Sequence, residues 1–217
     1  MCYWYLNTEG IEEEEAWFNS RYEQPNLFTG SNVFLNGYDH PETYIILDND
    51  PGIITTGTWG LIPKWAAHQE PKEFFKKANT LNAKIETVES LASYKYYTDN
   101  RCLVLARSFK EWKHVPIPGK KAVDKFPYEI GTPDGKPFAM AGIYNIIDNI
   151  PTFTILTTEA NTLMAEIHNS KKRMPVILTR EEQKLWLQRD KLEPYHSRTE
   201  IELKAVPLTE GEQQGLF

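Results

Sequence analysis

The chain has 217 residues, of which 41% are hydrophobic and 25% are charged, a composition that provides a packed core and excludes an intrinsically disordered protein. Its formal net charge of −6 argues against a broadly basic nucleic-acid-binding surface, so any such site must be a local cluster of Lys and Arg. No run of about eighteen apolar residues is present to span a bilayer, and the N-terminus lacks the basic-then-apolar layout of a secretory signal.

The pattern of apolar residues first predicts an acidic helix over Glu12–Asn19, with Trp17 and Phe18 on its buried side. Eight strand candidates follow, separated by Pro, Gly, Asn and Asp: Tyr44–Asp48, Gly52–Ile62, Arg101–Ala106, Pro127–Ile130, Phe138–Tyr144, Thr152–Thr158, Met174–Leu178 and Ile201–Val206. Four further helices are predicted: Pro71–Asn79, Glu86–Ser93, Ala160–His168 and Glu181–Gln188, the last opened by a capping box of Thr179 with Glu182.

Strands and helices do not alternate regularly in this pattern, which favours an α+β fold over a parallel α/β sheet. We expect a single domain over residues 1–217, with a curled, barrel-like and mostly antiparallel β core and peripheral helices. The absence of a signal or membrane segment predicts a cytoplasmic protein, or a nuclear one if the host has a nucleus, and we expect a monomer.

Cys2 is the first residue that suggests chemistry. A methionine aminopeptidase removes Met1 when the next side chain is small, so the mature chain is expected to begin with a free α-amine beside a thiol. Their ordinary pKa values of about 8 and about 8.5 leave part of both groups nucleophilic near neutral pH. Together they can bind one aldehyde carbon, first as a Schiff base and then as a five-membered thiazolidine. The alternative is an ordinary residue near a frayed terminus.

Several segments along the chain carry a resemblance to a known family: Met1-Cys2, Trp59–Trp65, Asn82–Thr87, Arg101–Val104 leading to Phe109–Lys113, Ala141–Tyr144, and Thr157–Asn161 running to Ile167-His168 and Met174–Leu178. In this order they resemble the SRAP family, the abasic-site-processing proteins. The resemblance implies the SRAP fold and a protein that crosslinks covalently to the ring-opened aldehyde of abasic sites in single-stranded DNA. It also implies nucleoid association when the protein is bound to damaged DNA, with possible lyase or adduct-reversal activity.

The resemblance further implies four catalytic residues. Cys2 is the nucleophile, and Asn82 holds the terminal amine and the opened sugar by hydrogen bonds. Glu111, in an apolar setting that raises a carboxyl pKa, moves protons during ring opening and imine formation. His168 assists as a general acid or base. Taken without the family, Asn82 reads as a turn or cap residue, Glu111 as a surface residue at a strand end, and His168 as a helix cap.

DNA contacts are expected from aromatic and basic side chains, since single strands bind by base stacking and phosphate neutralisation. The candidates are Trp59, Trp65, Lys84, Arg107, Lys113, Lys171, Lys172 and Arg173. The pairs Lys76-Lys77 and Lys120-Lys121 are further basic clusters. Lys84 stands where the family usually has Arg, and Tyr3 and Trp4 replace its usual Gly-Arg, so substrate preference is expected to differ.

Two other functions remain open from the sequence. Cys2 could be the nucleophile of an N-terminal-nucleophile hydrolase, such as a glutamine amidotransferase or an autoprotease. The Trp and Lys residues could instead belong to a non-catalytic binder of single-stranded DNA. No metal site is predicted, because the five His and two Cys residues have no zinc-ligand spacing, and the crosslinking reaction needs no cofactor. Cys2 and Cys102 are expected to be free thiols.

Overall fold

A computed structural model describes residues 2–7, 10–28 and 33–209. Within them the chain forms four short α-helices: α1 Ile11–Phe18, α2 Pro71–Phe75, α3 Thr162–Ile167 and α4 Arg180–Leu187. The same residues form fourteen strands: β1 Trp4–Leu6, β2 Arg21–Tyr22, β3 Leu35–Asn36, β4 Glu42–Leu47, β5 Ile53–Trp59, β6 Asn82–Lys84, β7 Arg101–Ala106, β8 Ser108–Pro116, β9 Val123–Gly131, β10 Phe138–Ile147, β11 Ile150–Glu159, β12 Arg173–Pro175, β13 Ile177–Leu178 and β14 Lys204–Pro207. None of the described helices is long and apolar enough to cross a membrane.

Five strands form a closed barrel in the order β11-β10-β7-β4-β5. Neighbours along this order are antiparallel. The barrel closes where β5 runs parallel to β11, with Thr58 opposite Thr152 and Trp59 opposite Phe153. The expectation of an α+β fold with a barrel-like, mostly antiparallel core is therefore confirmed.

A second sheet lies beside the barrel, with its strands in the order β14-β9-β8-β1-β3. In it β1 runs antiparallel to β8, with Tyr5 opposite Phe109 and Leu6 opposite Ser108. Continuing this register toward the N-terminus brings the residues before β1 alongside the part of β8 that carries Glu111. The sheet thus fixes the position of the N-terminal segment relative to β8.

Alternate residues of the barrel strands face two separate cores, as the two-residue period of a strand requires. In β7, Leu103 faces a core that it shares with Trp186 of α4. Its neighbour Val104 faces a second core, which also contains Cys2 and Phe109. The candidate nucleophile is therefore part of the packed interior between the barrel and the second sheet.

The eight predicted strands all coincide with observed ones, with shifted ends in most cases. The Met174–Leu178 strand is divided between β12 and β13. The longest strand that was not predicted is β8, in which Lys110 and Glu111 are adjacent and polar and apolar residues do not alternate strictly. The predicted capping box is confirmed: Thr179 accepts from the backbone N–H of Glu182, and the Glu182 carboxylate accepts from that of Thr179.

The helix predicted over Glu86–Ser93 is wrong. The chain there forms successive turns, with single hydrogen bonds from Thr87 to Lys84 and from Ser90 to Thr87. Val88 is buried in the first core together with Tyr94, and their spacing does not follow one face of a helix. Tertiary packing of these side chains overrides the local helix propensity.

The first predicted helix is present, but its buried side differs from the expectation. Trp17 and Phe18 are only partly buried, whereas Glu14 is fully buried. The Glu14 carboxylate accepts a hydrogen bond from the hydroxyl of Tyr22. A buried carboxyl group needs such a partner, because an unpaired one would lose its solvation without compensation.

Candidate functional site

Cys2 lies two residues before the start of β1 and is fully buried. Its thiol donates a hydrogen bond to the backbone oxygen of Trp4 at 3.6 Å. Its own backbone oxygen accepts from the side-chain amide of Asn82 at 2.8 Å. Asn82 is held in place because β6 pairs with β11, where it lies opposite Ile155. The barrel therefore positions the amide that binds the backbone of Cys2.

The side-chain oxygen of Asn82 is also buried, and it has no hydrogen-bond partner among the residues that the structure describes. Leaving a buried acceptor unsatisfied costs about 1–3 kcal/mol. Such an atom in a native structure calls for an explanation, and a donor from water or a ligand is one. Asn82 thus offers an acceptor beside the segment that holds Cys2.

Glu111 and His168 come together from β8 and from the end of α3. The His168 Nδ1 atom lies 3.9 Å from Glu111 Oε1, and the two residues, Glu111 and His168, are only 5% and 6% exposed. The same Nδ1 lies 2.8 Å from the backbone oxygen of Arg173. Because a carbonyl oxygen can only accept, Nδ1 carries the proton in the neutral ring, and Nε2 is left as the acceptor.

Burial moves the pKa values of these groups in opposite directions. It raises the pKa of Glu111 to about 7, because desolvation disfavours the carboxylate. Burial also lowers the pKa of His168 to about 4, so the imidazole is neutral at physiological pH. The pKa of the Cys2 thiol is raised, first by burial and then by the negative charge of Glu111. The carboxyl group therefore titrates near neutrality and acts electrostatically on the thiol.

The side chains expected to contact DNA differ in how far they are exposed. Trp65 is 54% exposed. Lys84, Lys171 and Lys172 are exposed, and Arg107 and Lys113 are partly exposed. Lys171 and Lys172 follow α3, where both of their backbone N–H groups donate to the His168 carbonyl. These side chains are accessible to a ligand, and the two lysines follow His168 by three and four residues in the chain.

Trp59 is a correction to the expected stacking surface. It is fully buried, its indole N–H donates to the backbone oxygen of Leu81 at 2.9 Å, and its ring packs against Tyr5 with centroids 4.9 Å apart. The ring lies at the end of a barrel strand and faces the second core, so it presents no surface for a base.

Arg173 also has a different setting from the expected open phosphate contact. Its guanidinium makes two parallel hydrogen bonds of 2.8 Å to the carboxylate of Glu86. A third bond goes to the backbone oxygen of Thr157. The fork geometry of Arg suits such a bidentate pair, which connects β12 to the turns that follow β6.

Lys110 is a residue that sequence reasoning missed. It is 2% exposed, and its ammonium lies 5.3 Å from the ring centre of Trp112, 5.9 Å from Trp4 and 5.6 Å from Phe34. Burial lowers its pKa. Because side chains alternate along β8, Lys110 lies on the face opposite Glu111. Polar and apolar residues do not alternate strictly in Ser108–His114, so no local signal places Lys110 in the interior.

The whole described fold and most of the sequence have counterparts among known proteins. The profile of the SOS response associated peptidase (SRAP) family matches residues 1–210. A solved structure of a protein from Bacteroides thetaiotaomicron is similar, with a TM-score of 0.82 and 27% sequence identity over 96% of this chain and 93% of that one.

Two curated relatives carry names that describe an activity. The chain is 39% identical over 142 residues to the abasic site processing protein YoqW of Bacillus subtilis, a match that covers 63% of this chain and 58% of YoqW. It is 26% identical over 207 residues to the abasic site processing protein HMCES of Gallus gallus, covering 82% of this chain and 58% of HMCES. The chain thus spans somewhat more than half the length of these relatives.

Proposed function

Because the chain belongs to the SOS response associated peptidase (SRAP) family, we propose that it processes abasic sites in DNA by covalent capture. The observation that carries the proposal is the convergence of Cys2, Asn82, Glu111 and His168. They come from four separate parts of the chain, and three of them, Cys2, Glu111 and His168, bear pKa values shifted by burial. Perturbed titratable groups gathered in this way are typical of a catalytic site. The names of relatives such as YoqW support DNA abasic sites as the substrate.

The reaction begins with removal of Met1, which leaves the α-amine on Cys2. The amine attacks the aldehyde carbon of the ring-opened sugar, and the carbinolamine loses water to give an imine. The sulfur of Cys2 then adds to the imine carbon while its proton is lost and the imine nitrogen gains one. The thiazolidine product therefore forms with release of one water molecule overall, and no oxidant, metal or nucleotide is needed.

Glu111 suits the proton transfers of this sequence. With a pKa of about 7 it is present as both acid and base near neutral pH, the condition under which general acid–base catalysis is most effective. As the acid it protonates the departing hydroxyl of the carbinolamine, and as the carboxylate it accepts the proton of the thiol. The raised pKa of Cys2 means that the thiol depends on such a base.

His168 and Asn82 have supporting roles. Neutral His168 keeps Nε2 free of a proton, since Nδ1 bonds the carbonyl of Arg173, and it assists the Schiff-base steps and the slow release of the adduct. The Asn82 amide binds the backbone of Cys2, and its side-chain oxygen accepts from the terminal amine or from the opened sugar.

The experiment is incubation with a uracil-containing single-stranded oligonucleotide pretreated with uracil glycosylase, after intact mass has established whether Met1 is removed. We expect an adduct stable to heat and SDS for the wild type and none for Cys2→Ala. Cys2→Ser, like Cys2→Ala, keeps the amine but not the thiol, so both should give only a product that needs borohydride reduction to survive. Cys102→Ala removes the other thiol and should crosslink like the wild type.

The rival functions give different results in the same samples. Reversible binding without any adduct would support a non-catalytic DNA binder and refute covalent capture. Hydrolysis of glutamine or of a peptide that depends on Cys2, again without an adduct, would favour an N-terminal-nucleophile hydrolase, as the peptidase in the family's description suggests. A retained Met1 in the crosslinking protein would contradict the thiazolidine.

A further inference from the structure

The outer part of the β8–β9 hairpin extends beyond the second sheet. Its strands pair with each other from Trp112 opposite Pro127 to Pro116 opposite Val123. The pairing of β1 with β8 involves only Ser108 and Phe109, and the pairing of β14 with β9 begins at Tyr128. Among the residues that the structure describes, no third strand continues along residues 112–127. We call this two-stranded segment the ribbon.

The ribbon has the opposite charge to the chain as a whole. It contains four lysines, Lys113, Lys120, Lys121 and Lys125, against the single acidic residue Asp124. This gives a formal charge of +3 in a chain whose formal charge is −6. Such a local cluster of lysines is what phosphate binding by an acidic protein requires, since each neutralised phosphate releases a counterion.

Exposed apolar side chains accompany these lysines. Phe126 is 49% exposed, and Val115 and Val123 are 39% and 40% exposed. Phe126 lies directly opposite Lys113 across the hairpin. An exposed aromatic ring beside a cation is the combination with which proteins hold a single strand, by stacking a base and neutralising its phosphate.

This combination is continuous with the candidate site. Glu111, Lys113 and Val115 lie on one face of β8, because side chains alternate along a strand. Tyr128, Phe126 and Asp124 are their partners on β9. Passing outward from Glu111 along this face, the pair of Lys113 and Phe126 comes next, and the lysines of the tip follow.

The base of the ribbon is fixed to the segment that carries His168. The Asn169 side chain accepts from the backbone N–H of His114 at 3.1 Å and donates to its carbonyl at 2.8 Å. These two bonds satisfy the backbone N–H and carbonyl of His114 on the edge of β8 that faces away from β9. They also bring Lys171 and Lys172, which follow Asn169, to the same side of the site as the ribbon.

We propose that the ribbon is a second DNA-binding element, which holds the single strand beside the abasic nucleotide through the tip lysines and Phe126. The inference rests on the proposed function for the identity of the strand. The ribbon supplies affinity and orientation, while the chemistry stays with the buried site. Its lysines and phenylalanine contact phosphates and bases that are not damaged.

The test measures binding to a fluorescently labelled single-stranded oligonucleotide without an abasic site, so that it does not depend on covalent capture. The double variant Lys120→Glu/Lys121→Glu should weaken binding by about tenfold or more, and the slope of log K against log salt should fall by about 0.7 for each phosphate that the variant no longer neutralises. Lys184→Glu/Lys191→Glu makes the same charge change at exposed positions in and just after α4 and should bind within about twofold of the wild type.

The stacking interaction has its own pair of variants. Phe126→Ala should weaken binding by about tenfold, whereas Leu185→Ala, which shortens a side chain exposed to 45% on α4, should not. Equal weakening by the ribbon and α4 variants, or no measurable binding by the wild type, would overturn the inference.

Crosslinking separates this inference from the proposed function. At saturating abasic-site DNA the ribbon variants should form as much adduct as the wild type, because Cys2 and Glu111 are unchanged. A wild type that binds through the ribbon but forms no adduct would refute covalent capture and leave the ribbon as a binding element. Loss of adduct in the ribbon variants at saturating DNA would assign the ribbon to the chemistry and contradict the inference.

Discussion

Glu111 and His168 are buried side by side, and their shifted pKa values make opposite contributions to stability. The pKa of Glu111 is raised from 4.5 to about 7, so its contribution to stability is fully present below pH 4.5 and is lost as the pH rises to 7. The pKa of His168 is lowered from 6.5 to about 4, so its contribution is present above pH 6.5 and is lost as the pH falls to 4. Between pH 4.5 and 6.5 the two residues change the free energy of unfolding in opposite directions as the pH rises, so their contributions offset each other.

Single substitutions should therefore reveal a pH dependence of the free energy of unfolding that the two residues cancel in the wild type. In Glu111→Gln only the contribution of His168 to the pH dependence remains. The free energy of unfolding should therefore rise with pH by about 2 kcal/mol relative to the wild type between pH 4 and pH 7. In His168→Gln it should fall by a similar amount. Chemical unfolding at a series of pH values measures both. Glu166→Gln, at an exposed position of α3, should follow the wild type. If the free energy of unfolding of all three variants depended on pH in the same way, the opposite pKa shifts of Glu111 and His168 would be contradicted.

The residues of the candidate site illustrate what the sequence could and could not predict. Cys2, Asn82, Glu111 and His168 were proposed from a family resemblance, and no local pattern around them predicts that they meet. Their convergence depends on the register between β1 and β8 and on the placement of β6 against β11. These are pairings between distant segments, which periodicity does not encode. The burial of Trp59 follows from the same long-range packing.

At the scale of single elements, the N-terminus of α4 was predicted correctly because its signal is local. Thr179 and Glu182 satisfy each other's backbone N–H groups, a pattern readable from four consecutive residues. Glu182 has a second role, since its carboxylate accepts two hydrogen bonds from the buried Arg198, at 2.8 Å and 2.6 Å. The cap therefore also holds one end of an ion pair between α4 and the segment that leads to β14.

Removal of the cap side chain should destabilise the protein measurably. Thr179→Ala is expected to lower the free energy of unfolding by about 1 kcal/mol, because the N–H of Glu182 loses its acceptor. Thr179→Ser keeps the hydroxyl and should stay close to the wild type. Urea midpoints of the two variants provide the comparison, and an equal loss in both would assign the effect to the methyl group of Thr179 rather than to the cap.

The segment between β6 and β7 and the strand β8 mark where local signals failed. Residues 86–93 have helix-forming side chains, yet Val88 and Tyr94 are buried at a spacing that no helix face provides. No strand was predicted at β8, and nothing in the local pattern indicated that both Lys110 and Glu111 are buried. In each case the tertiary environment of a few side chains decided the conformation.

For the whole molecule, the barrel strands were predictable because their segments are rich in β-branched and apolar residues and are bounded by turn residues, but the closure of the barrel was not. The contact between β5 and β11 is parallel and joins segments far apart in the chain. The same strand β11 pairs with β6 and so carries Asn82. Closure of the barrel and construction of the candidate site therefore depend on one strand.

Gly57 lies where β5 approaches β11, and the close packing there makes the barrel sensitive to one added methyl group. A Cβ at this position would lie 2.6 Å from Cδ1 of Ile45 and 3.2 Å from the backbone oxygen of Pro151. An Ala in a strand would otherwise stabilise the fold by restricting the unfolded chain, so the sign of the effect is informative. We expect Gly57→Ala to lower the free energy of unfolding by about 1–3 kcal/mol, measured by urea denaturation.

At Gly52 the nearest atom to a built Cβ is Asp50 Oδ1 at 3.9 Å, so Gly52→Ala should remain within about 0.5 kcal/mol of the wild type. Stabilisation by Gly57→Ala would mean that the β5–β11 contact is looser than the structure has it, and that Asn82 is not held by a closed barrel.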